Sequence, residues 1–470
     1  MKKKMLKILA LLASFLVTVG LGACEFVGGG SSSESDTVSD SSIDSDETPK
    51  YSEGLQYDLA EDGKSYLVHG IGCCTDTDII IPPEYEGLPV EKIGMNAFDN
   101  CGRITSVVIP EGVTCIDIAA FRNCEKLAKV TLPKSLKKIG HTAFERCVSL
   151  EKIEIPEKVE SIGGYVFYGC TRLEYNGDGV CKYLGNAENP YFALIETLHG
   201  NIQGYELHAD TKVVASRAFI DCAKLSNVKF PDGLVGIGEE AFINCVSLTS
   251  VVVPEGVVHI EMGAFDSCSA LTSARIPSTA TDIGDRAFYL CSNLTNITVA
   301  EGNTVYKDID GNLYSKDGTV LWQYAVGKKD TRYVIPNGVV YIYHNAFETC
   351  ESLTSVVIPN SVTYIGHYAF NGCGLTSVVI PDSVTYMGER IFSYCDAMES
   401  IEIPGSVEWI EGQVFYPCNS LTTITYKGTM EKLMSIVREF DWFTSVPTVK
   451  VICADGTFEL DDWVKLENGK

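Results

Sequence analysis

The chain has 470 residues, 45% of them hydrophobic, so it is long enough to bury a large core. Its formal net charge is -25 at pH 7, with 37 basic and 62 acidic residues. A body this acidic repels nucleic acid and anionic membrane surfaces, so we expect neither as a direct partner of the folded part.

The first 23 residues have the order of a secretory signal. Four lysines within the first seven residues precede an apolar stretch, which runs from about residue 8 to residue 19. Residues 21–24, Leu-Gly-Ala-Cys, resemble the lipobox of bacterial lipoproteins, and the resemblance implies cleavage before Cys24 and lipidation of that residue. An ordinary signal peptide or an uncleaved anchor is the alternative, although the apolar run is short for a span of about 20 residues.

Residues 24–50 predict an unfolded stalk. After Cys24 the chain is rich in Gly, Ser and acidic residues, and it has almost no apolar side chains up to about residue 48. Such a segment cannot form a core, and as a flexible chain it has a reach of about 28 Å. We expect it to hold the folded part away from the membrane.

A Phe followed three residues later by a Cys occurs twelve times and marks an internal repeat. Nearly every step within a block is 23 residues, with one step of 22. The phenylalanines of the three blocks are Phe98, Phe121, Phe144 and Phe167; Phe219, Phe242, Phe265 and Phe288; and Phe347, Phe370, Phe392 and Phe415. Around each pair the unit reads V-x-x-I-G-x-x-A-F-x-x-C-x-x-L-x-x-V-x-I-P.

Each unit predicts two short strands. The V-x-I segment alternates with a period of two and ends at the proline, and turn residues then lead into a second strand such as Val362–Ile365. The A-F-x-x-C segment is too short for a helix of several turns. One unit cannot bury its apolar side chains alone, so the stacked units must form a solenoid with ladders of Phe, Leu, Val and Ile.

This pattern resembles the BspA-like leucine-rich repeats of bacterial surface proteins, from about residue 57 to residue 455. The resemblance implies a β-rich leucine-rich-repeat solenoid of 23-residue repeats, with short strands and short helical or 3-10 turns, capped at both ends. It also implies a role in adhesion and in contact with a host or a matrix. It does not identify a ligand.

Irregular segments divide the array into parts. We predict an N-terminal cap at 51–92, repeat block 1 at 93–170, an island at 171–211, repeat block 2 at 212–299, a second island at 300–335, repeat block 3 at 336–421, and a C-terminal cap and tail at 422–470. The pairs Asp310-Gly311 and Asp317-Gly318 are hairpin-turn residues, so the second island predicts a small β-meander.

The spacing of the cysteines and histidines predicts structural roles for these side chains and no metal site. Equivalent cysteines on successive turns point the same way, which is poor geometry for a disulfide, so we expect buried free thiols. His141, His344 and His367 share the position three before the Phe and should be exposed polar fillers at a turn, because no third ligand presents itself. Residues 308–312 resemble the start of a calcium loop, but Thr319 stands where a closing Glu would be needed. We predict no metal and no cofactor.

The position six residues before the Phe becomes aromatic in the third block, where it reads Tyr341, Tyr364, Tyr386 and Trp409. Each residue precedes an inward Ile or Met, so strand alternation predicts outward rings that stack on neighbouring turns and form a flat strip. These rings either stabilise the sheet through cross-strand pairs or form a platform for sugar rings or a partner's apolar anchors.

We find no catalytic motif set apart from the repeat, so we predict no catalytic residues and no enzyme. The predicted function is that of a surface lipoprotein held by its lipid at the extracellular face of the cytoplasmic membrane or at the cell surface. There it would bind an extracellular protein or glycan and mediate adhesion to host, matrix or other cells, with the four aromatic residues as the candidate site. The alternative is a scaffold that organises the bacterium's own cell envelope.

Overall fold

The computed structural model describes residues 50–437 and 449–459. The predicted signal peptide, Cys24, nearly all of the stalk and parts of the predicted C-terminal cap lie outside the described residues. The chain divides into two compact units. Of the described residues, the first contains 50–198, Asp210–Ala218 and Gly236–Glu239, and the second contains His199–Ala209, Phe219–Val235, 240–437 and 449–459.

The first unit is built from short strands. They are β1 (Gln56–Leu59), β2 (Tyr66–Gly70), β3 (Asp78–Ile80), β4 (Glu84–Tyr85), β5 (Leu88–Ile93), β6 (Ser106–Val108), β7 (Cys115–Ile116), β8 (Lys129–Thr131), β9 (Lys138–Ile139), β10 (Ser161–Ile162), β11 (Asn176–Gly177), β12 (Cys181–Leu184), β13 (Ala193–Thr197), β15 (Val213–Val214) and β17 (Gly236–Ile237). One parallel ladder runs through β5, β7, β9 and β10, and a second through β3, β6 and β8. Antiparallel pairs β1–β2 and β4–β5 lie at the N-terminal end, and β11–β12–β13 form an antiparallel meander.

The second unit repeats this plan. Its strands are β14 (Gly204–Glu206), β16 (Asn227–Lys229), β18 (Ser250–Val252), β19 (His259–Ile260), β20 (Ser273–Ile276), β21 (Asp282–Ile283), β22 (Asn296–Val299), β23 (Tyr306–Ile309), β24 (Asn312–Ser315), β25 (Val320–Gln323), β26 (Arg332–Val334), β27 (Tyr341–Ile342), β28 (Ser355–Val357), β29 (Tyr364–Ile365), β30 (Ser377–Val379), β31 (Tyr386–Met387), β32 (Ser400–Ile403), β33 (Trp409–Ile410), β34 (Thr423–Tyr426), β35 (Lys450–Cys453) and β36 (Gly456–Glu459). Helix α1 (Met430–Ile436) begins after Thr429, whose side chain accepts the N–H of Lys432. Neither described stretch of the chain holds a helix long and apolar enough to cross a membrane.

Two features of the second unit position the candidate site. Strands β25, β27, β29, β31 and β33 form one parallel ladder, with Tyr341 opposite Tyr364 and Tyr364 opposite Tyr386. Strands β23, β24 and β25 form an antiparallel meander that enters this ladder through β25. Asp310 and Gly311 join β23 to β24 with φ of 51° and 71°, the conformation that a two-residue Asp-Gly hairpin loop adopts.

The fold class predicted from the repeat is confirmed. Each unit is a β-solenoid of coils of about 23 residues with little helix, and each full coil adds one short strand to a parallel ladder, as where Tyr364–Ile365 pairs with Tyr341–Ile342. The A-F-x-x-C segment is a run of tight turns, in which Arg122 N donates to Ala119 O and Cys124 N to Phe121 O. Ala119 and Asn123 have left-handed φ of 55° and 58°, so the chain cannot continue as a regular helix.

The Phe column is stacked inside each unit. In the first unit the Phe98 and Phe121 ring centroids lie 5.0 Å apart with planes 2° from parallel, and in the second unit Phe242 and Phe265 lie 5.2 Å apart. All these rings are buried, so they make the continuous apolar core that a single repeat cannot make.

The Cys column consists of free thiols, as the sequence predicted, and all of them except Cys101 are buried. From the second turn of each block onward, the cysteine sulfur donates to the carbonyl oxygen of the Phe on the preceding turn, as from Cys268 Sγ to Phe242 O at 3.2 Å. The same bond recurs at Cys147 and Cys395. Cysteine suits this column because it combines a small apolar side chain with a weak donor.

Candidate aromatic binding site

The four predicted aromatic residues lie on adjacent strands of the second unit. Each occupies the first position of a two-residue strand, and the second position carries a fully buried Ile or Met. Alternation along the strand directs the two side chains to opposite faces. Tyr341, Tyr364 and Tyr386 are half-buried, and Trp409 is 36% exposed.

The rings are close together, but the prediction that they form one flat strip was wrong. The Tyr364 and Tyr386 centroids lie 4.2 Å apart with planes 9° from parallel, so these two rings stack. Tyr341 lies 4.6 Å from Tyr364 but is turned by 81°, so it presents an edge to its neighbour.

Two further aromatic residues lie beside the column, two positions further along the chain than Tyr341 and its strand partner Val320. The Trp322 and Tyr343 ring centroids are 3.9 Å apart, and Tyr343 is 5.5 Å from Tyr341. Trp322 joins because β25 pairs with β27, which brings the second island into the ladder. We define the aromatic strip as Trp322, Tyr341, Tyr343, Tyr364, Tyr386 and Trp409. The place of Trp322 could not be predicted from the sequence, because the spacing of the repeat does not extend into the island.

One carboxylate links two rings of the strip. The Tyr386 hydroxyl donates to Glu411 Oε1 at 3.1 Å, and the Trp409 indole N–H donates to the same oxygen. Both rings are therefore fixed in position, although they lie on different turns. Hydrogen bonds from a neutral donor to an ionised acceptor are stronger than neutral pairs.

Two histidines support the opposite end of the strip. His344 Nδ1 accepts the N–H of His367, and His367 Nδ1 accepts the N–H of Glu389, both at 2.9 Å. Because Nδ1 is an acceptor, the proton of the neutral imidazole is on Nε2. His344 Nε2 therefore donates to the Tyr341 hydroxyl oxygen, 2.8 Å away.

The prediction that these histidines are exposed fillers was wrong. Burial lowers the pKa of His344 to about 3, and burial also lowers the pKa of His367 below its ordinary value. In the first unit His141 has the same role, since its Nδ1 accepts the N–H of Gly164 and its Nε2 lies 2.9 Å from Glu239. The spacing of stacked turns places an imidazole nitrogen within reach of the next backbone N–H.

The strip lies in a negative electrostatic environment. Burial first, and then the nearby carboxylates Asp285 and Asp282, raise the pKa of Tyr343 above its ordinary value. Burial, the neighbouring Tyr364 and Glu411 raise the pKa of Tyr386 in the same direction. All of these tyrosines are therefore neutral at pH 7.

Acidic and histidine side chains do not converge on a metal site. Within residues 50–437 and 449–459, no group of three or more His, Cys, Asp or Glu side chains is placed to hold a metal ion. In the segment that resembles a calcium loop, Asp308 Oδ1 instead accepts the N–H of Val299, and Asp310 is part of the hairpin turn.

Fold and site together define a repeat protein that presents an aromatic surface. The model of the BspA type leucine-rich-repeat region matches residues 91–176, 198–316 and 327–437, in six copies. These ranges cover more than half of the chain, so the protein belongs to the BspA-type leucine-rich-repeat family, as its repeat predicted.

The chain is similar to several solved structures. A leucine rich cell surface protein from Faecalibacterium prausnitzii A2-165 is 28% identical, with 84% of this chain and 99% of that chain covered and a TM-score of 0.41. A leucine-rich repeat protein from Bacteroides ovatus is 23% identical, covering 86% and 100%, with a TM-score of 0.34. The pneumococcal vaccine antigen PcpA is 19% identical, covering 86% and 93%, with a TM-score of 0.39. No curated protein matches the sequence.

Proposed function

We propose that this protein is a bacterial cell-surface binding protein, anchored through lipidated Cys24, whose aromatic strip contacts an extracellular protein or glycan during adhesion. The observation that carries the proposal is the strip itself, six aromatic residues on neighbouring turns of one unit. The BspA-type repeats support a role at the surface. The signal-like order of the first 24 residues supports the anchor.

The way the rings are held favours binding. Glu411 fixes Tyr386 and Trp409, and His344 fixes Tyr341, so a ligand would meet side chains that have already lost most of their rotational freedom. Preorganised contacts of this kind lower the entropic cost of association. Tyr and Trp are also the residues that most often dominate binding energy at interfaces.

Stabilisation of the sheet is a separate role for the same rings. A cross-strand aromatic pair contributes roughly 0.2 to 1 kcal/mol, which accounts for the stacked Tyr364 and Tyr386 pair. Stabilisation of the sheet does not require Trp409 to remain partly exposed. Trp409 is therefore the residue at which the two roles can be separated.

A binding screen tests the proposal. The purified protein would be applied to glycan and extracellular-matrix protein arrays beside a variant with Tyr364→Ala, Tyr386→Ala and Trp409→Ala. A matched control would carry Tyr165→Ala, Tyr168→Ala and Tyr394→Ala, because these tyrosines are exposed and lie off the strip.

We expect the strip variant to lose a signal that the control variant keeps, with both variants folded by circular dichroism. Equal binding by the strip variant and the wild type would overturn the assignment of the site. Binding confined to components of the bacterium's own envelope would overturn adhesion and support the scaffold. For the anchor, Cys24→Ser should abolish incorporation of labelled fatty acid, and continued incorporation would refute lipidation at that residue.

A further inference from the structure

We infer that the aromatic strip takes a cationic ligand, namely a lysine- and arginine-bearing segment of a partner protein. The inference rests on the proposed function and names the chemistry of the partner. It follows from the combination of aromatic rings and carboxylates on the same turns of the repeat.

The aromatic rings of the strip can attract a cation. An ammonium or guanidinium group is attracted to the face of Trp or Tyr when it lies within about 6 Å of the ring centroid. The chain already shows this contact elsewhere, since the Arg286 guanidinium carbon lies 5.0 Å from the Tyr289 ring centroid and the Arg217 carbon 5.3 Å from that of Tyr165. Trp409 offers the best ring for such a contact, and it is the most exposed member of the strip.

Carboxylates lie beside these rings. Glu411 lies between Tyr386 and Trp409, and the exposed Glu408 directly precedes Trp409 in the chain. Glu389 follows on the neighbouring turn, where its carboxylate lies 3.5 Å from Arg390. The Arg390 guanidinium pairs with this carboxylate and also contacts Gln413 and Tyr368, so Glu389 adds less negative charge to the strip than Glu408 and Glu411.

The histidines of the strip do not offset this negative charge. The N–H groups of the next turn occupy Nδ1 of His344 and of His367, and the lowered pKa values keep both rings neutral at pH 7. The carboxylates therefore repel an anionic sugar or a phosphate, and they give a neutral sugar no electrostatic attraction. A cation gains from the rings and from the carboxylates together.

The charge of the whole chain acts in the same direction. With 62 acidic and 37 basic residues, the protein attracts basic partners over distances of a Debye length, about 8 Å at physiological ionic strength. This general attraction increases the rate of encounter but does not locate the contact. The test must therefore separate the strip from the overall charge.

Two substitutions make this separation. Glu411→Gln removes one charge and keeps an oxygen that can accept from Tyr386 and Trp409. Glu261→Gln removes the same charge at the equivalent position of another repeat, where the residue six before the Phe is His259 rather than an aromatic residue of the strip. Trp409→Ala is matched in turn by Tyr394→Ala, an exposed aromatic residue of the same block.

The probe is a fluorescein-labelled peptide of thirteen residues that alternates Lys and Ser, measured by fluorescence anisotropy with the full chain. Reference probes are the same peptide with every lysine acetylated and a neutral chito-oligosaccharide. We expect binding of the lysine peptide only, weakened by salt. Trp409→Ala and Glu411→Gln should each raise the Kd by roughly tenfold, while Glu261→Gln and Tyr394→Ala stay within about twofold.

Several results would overturn the inference. Equal weakening by Glu411→Gln and Glu261→Gln would assign the binding to overall charge, and unchanged affinity in Trp409→Ala would remove the strip from the contact. If the strip variant loses binding to a neutral glycan on the array while the lysine peptide does not bind, the cationic ligand is refuted and the proposed function stands. Failure of both the array and the peptide would refute both.

Discussion

The imidazole Nδ1 of His344 accepts the backbone N–H of His367 on the next turn at 2.9 Å. A protonated imidazole has no acceptor, so this contact exists only while His344 is neutral. The protonation of one side chain is thereby linked to the stacking of two turns. The stacked rings themselves lie 4.8 Å apart.

Acid should destabilise the protein through His344. Its pKa falls from 6.5 to about 3 because the ring is buried, so below pH 6.5 the unfolded chain binds a proton that the folded chain does not. The free energy of unfolding should therefore decline from pH 6.5 towards pH 3, by roughly 1–3 kcal/mol for this one group. Urea denaturation of His344→Gln should show a shallower decline. His69→Gln, which alters an exposed ring, serves as the control, and identical pH profiles for His344→Gln and the wild type would contradict the prediction.

Glu348 should make the stability of the protein depend on pH in the opposite direction to His344. It is buried, it accepts hydrogen bonds from Asn345 and Tyr289, and burial raises its pKa from 4.5 to about 7 against the attraction of Arg286. The folded state thus retains a proton that the unfolded chain loses above pH 4.5, and stability is lost as the pH rises through about 7.

The Glu348→Gln variant should lack this alkaline decline, which we expect to amount to roughly 1–3 kcal/mol between pH 4.5 and pH 8. The readout is the pH profile and not the absolute stability, because the amide cannot accept both hydrogen bonds. Glu351→Gln, at an exposed position, should keep the profile of the wild type. An unaltered profile in Glu348→Gln would show that another group controls the decline.

The thiols should divide into reactive and protected groups. Cys73 is exposed, whereas the column cysteines other than Cys101 are buried, and burial raises the pKa of Cys418 to about 12. The thiolate is the reactive form, so we expect a disulfide reagent at pH 8 to label Cys73 in the native protein and the buried column only after unfolding. Mass spectrometry of the labelled peptides gives the measurement, with Cys73→Ala as the control. Fast labelling of Cys268 in the native protein would refute the buried ladder.

Replacement of a glycine by alanine should destabilise the protein more where the glycine has a left-handed backbone conformation than where it does not. Gly372 has φ of 67° and space for a Cβ, so Gly372→Ala should lose about 1 kcal/mol through backbone strain alone. Gly102 lacks a left-handed φ and has no atom close enough to meet a Cβ, so Gly102→Ala should stay within about 0.5 kcal/mol of the wild type. Thermal or chemical unfolding measures both. Equal effects of the two substitutions would contradict this account of the turns.

Much of the fold could be predicted because its information is local and repeated. The spacing of Phe242 and Phe265 predicted the coil length, and the residue types predicted which side chains are buried. The free thiols followed from the parallel direction of equivalent side chains. The conformation of Asp310-Gly311 followed from the preference of that pair for a hairpin.

The candidate site was predicted in part. Repeat spacing brought Tyr341, Tyr364, Tyr386 and Trp409 to adjacent strands, and the structure places them there. The edge-on orientation of Tyr341 could not be predicted, because it depends on the hydrogen bond to His344. Their role in binding stays a prediction.

The sequence by itself determined the repeat, its strands, its buried columns and its acidic character, because each depends on residue types at a fixed spacing. Tertiary structure alone decided that Trp322 joins the strip, that Glu411 bridges Tyr386 and Trp409, and that His344 is held neutral. These relationships depend on pairing register and on distances of a few ångströms between turns. The hydrogen-bond geometry that governs them is too short-ranged to be read from spacing along the chain.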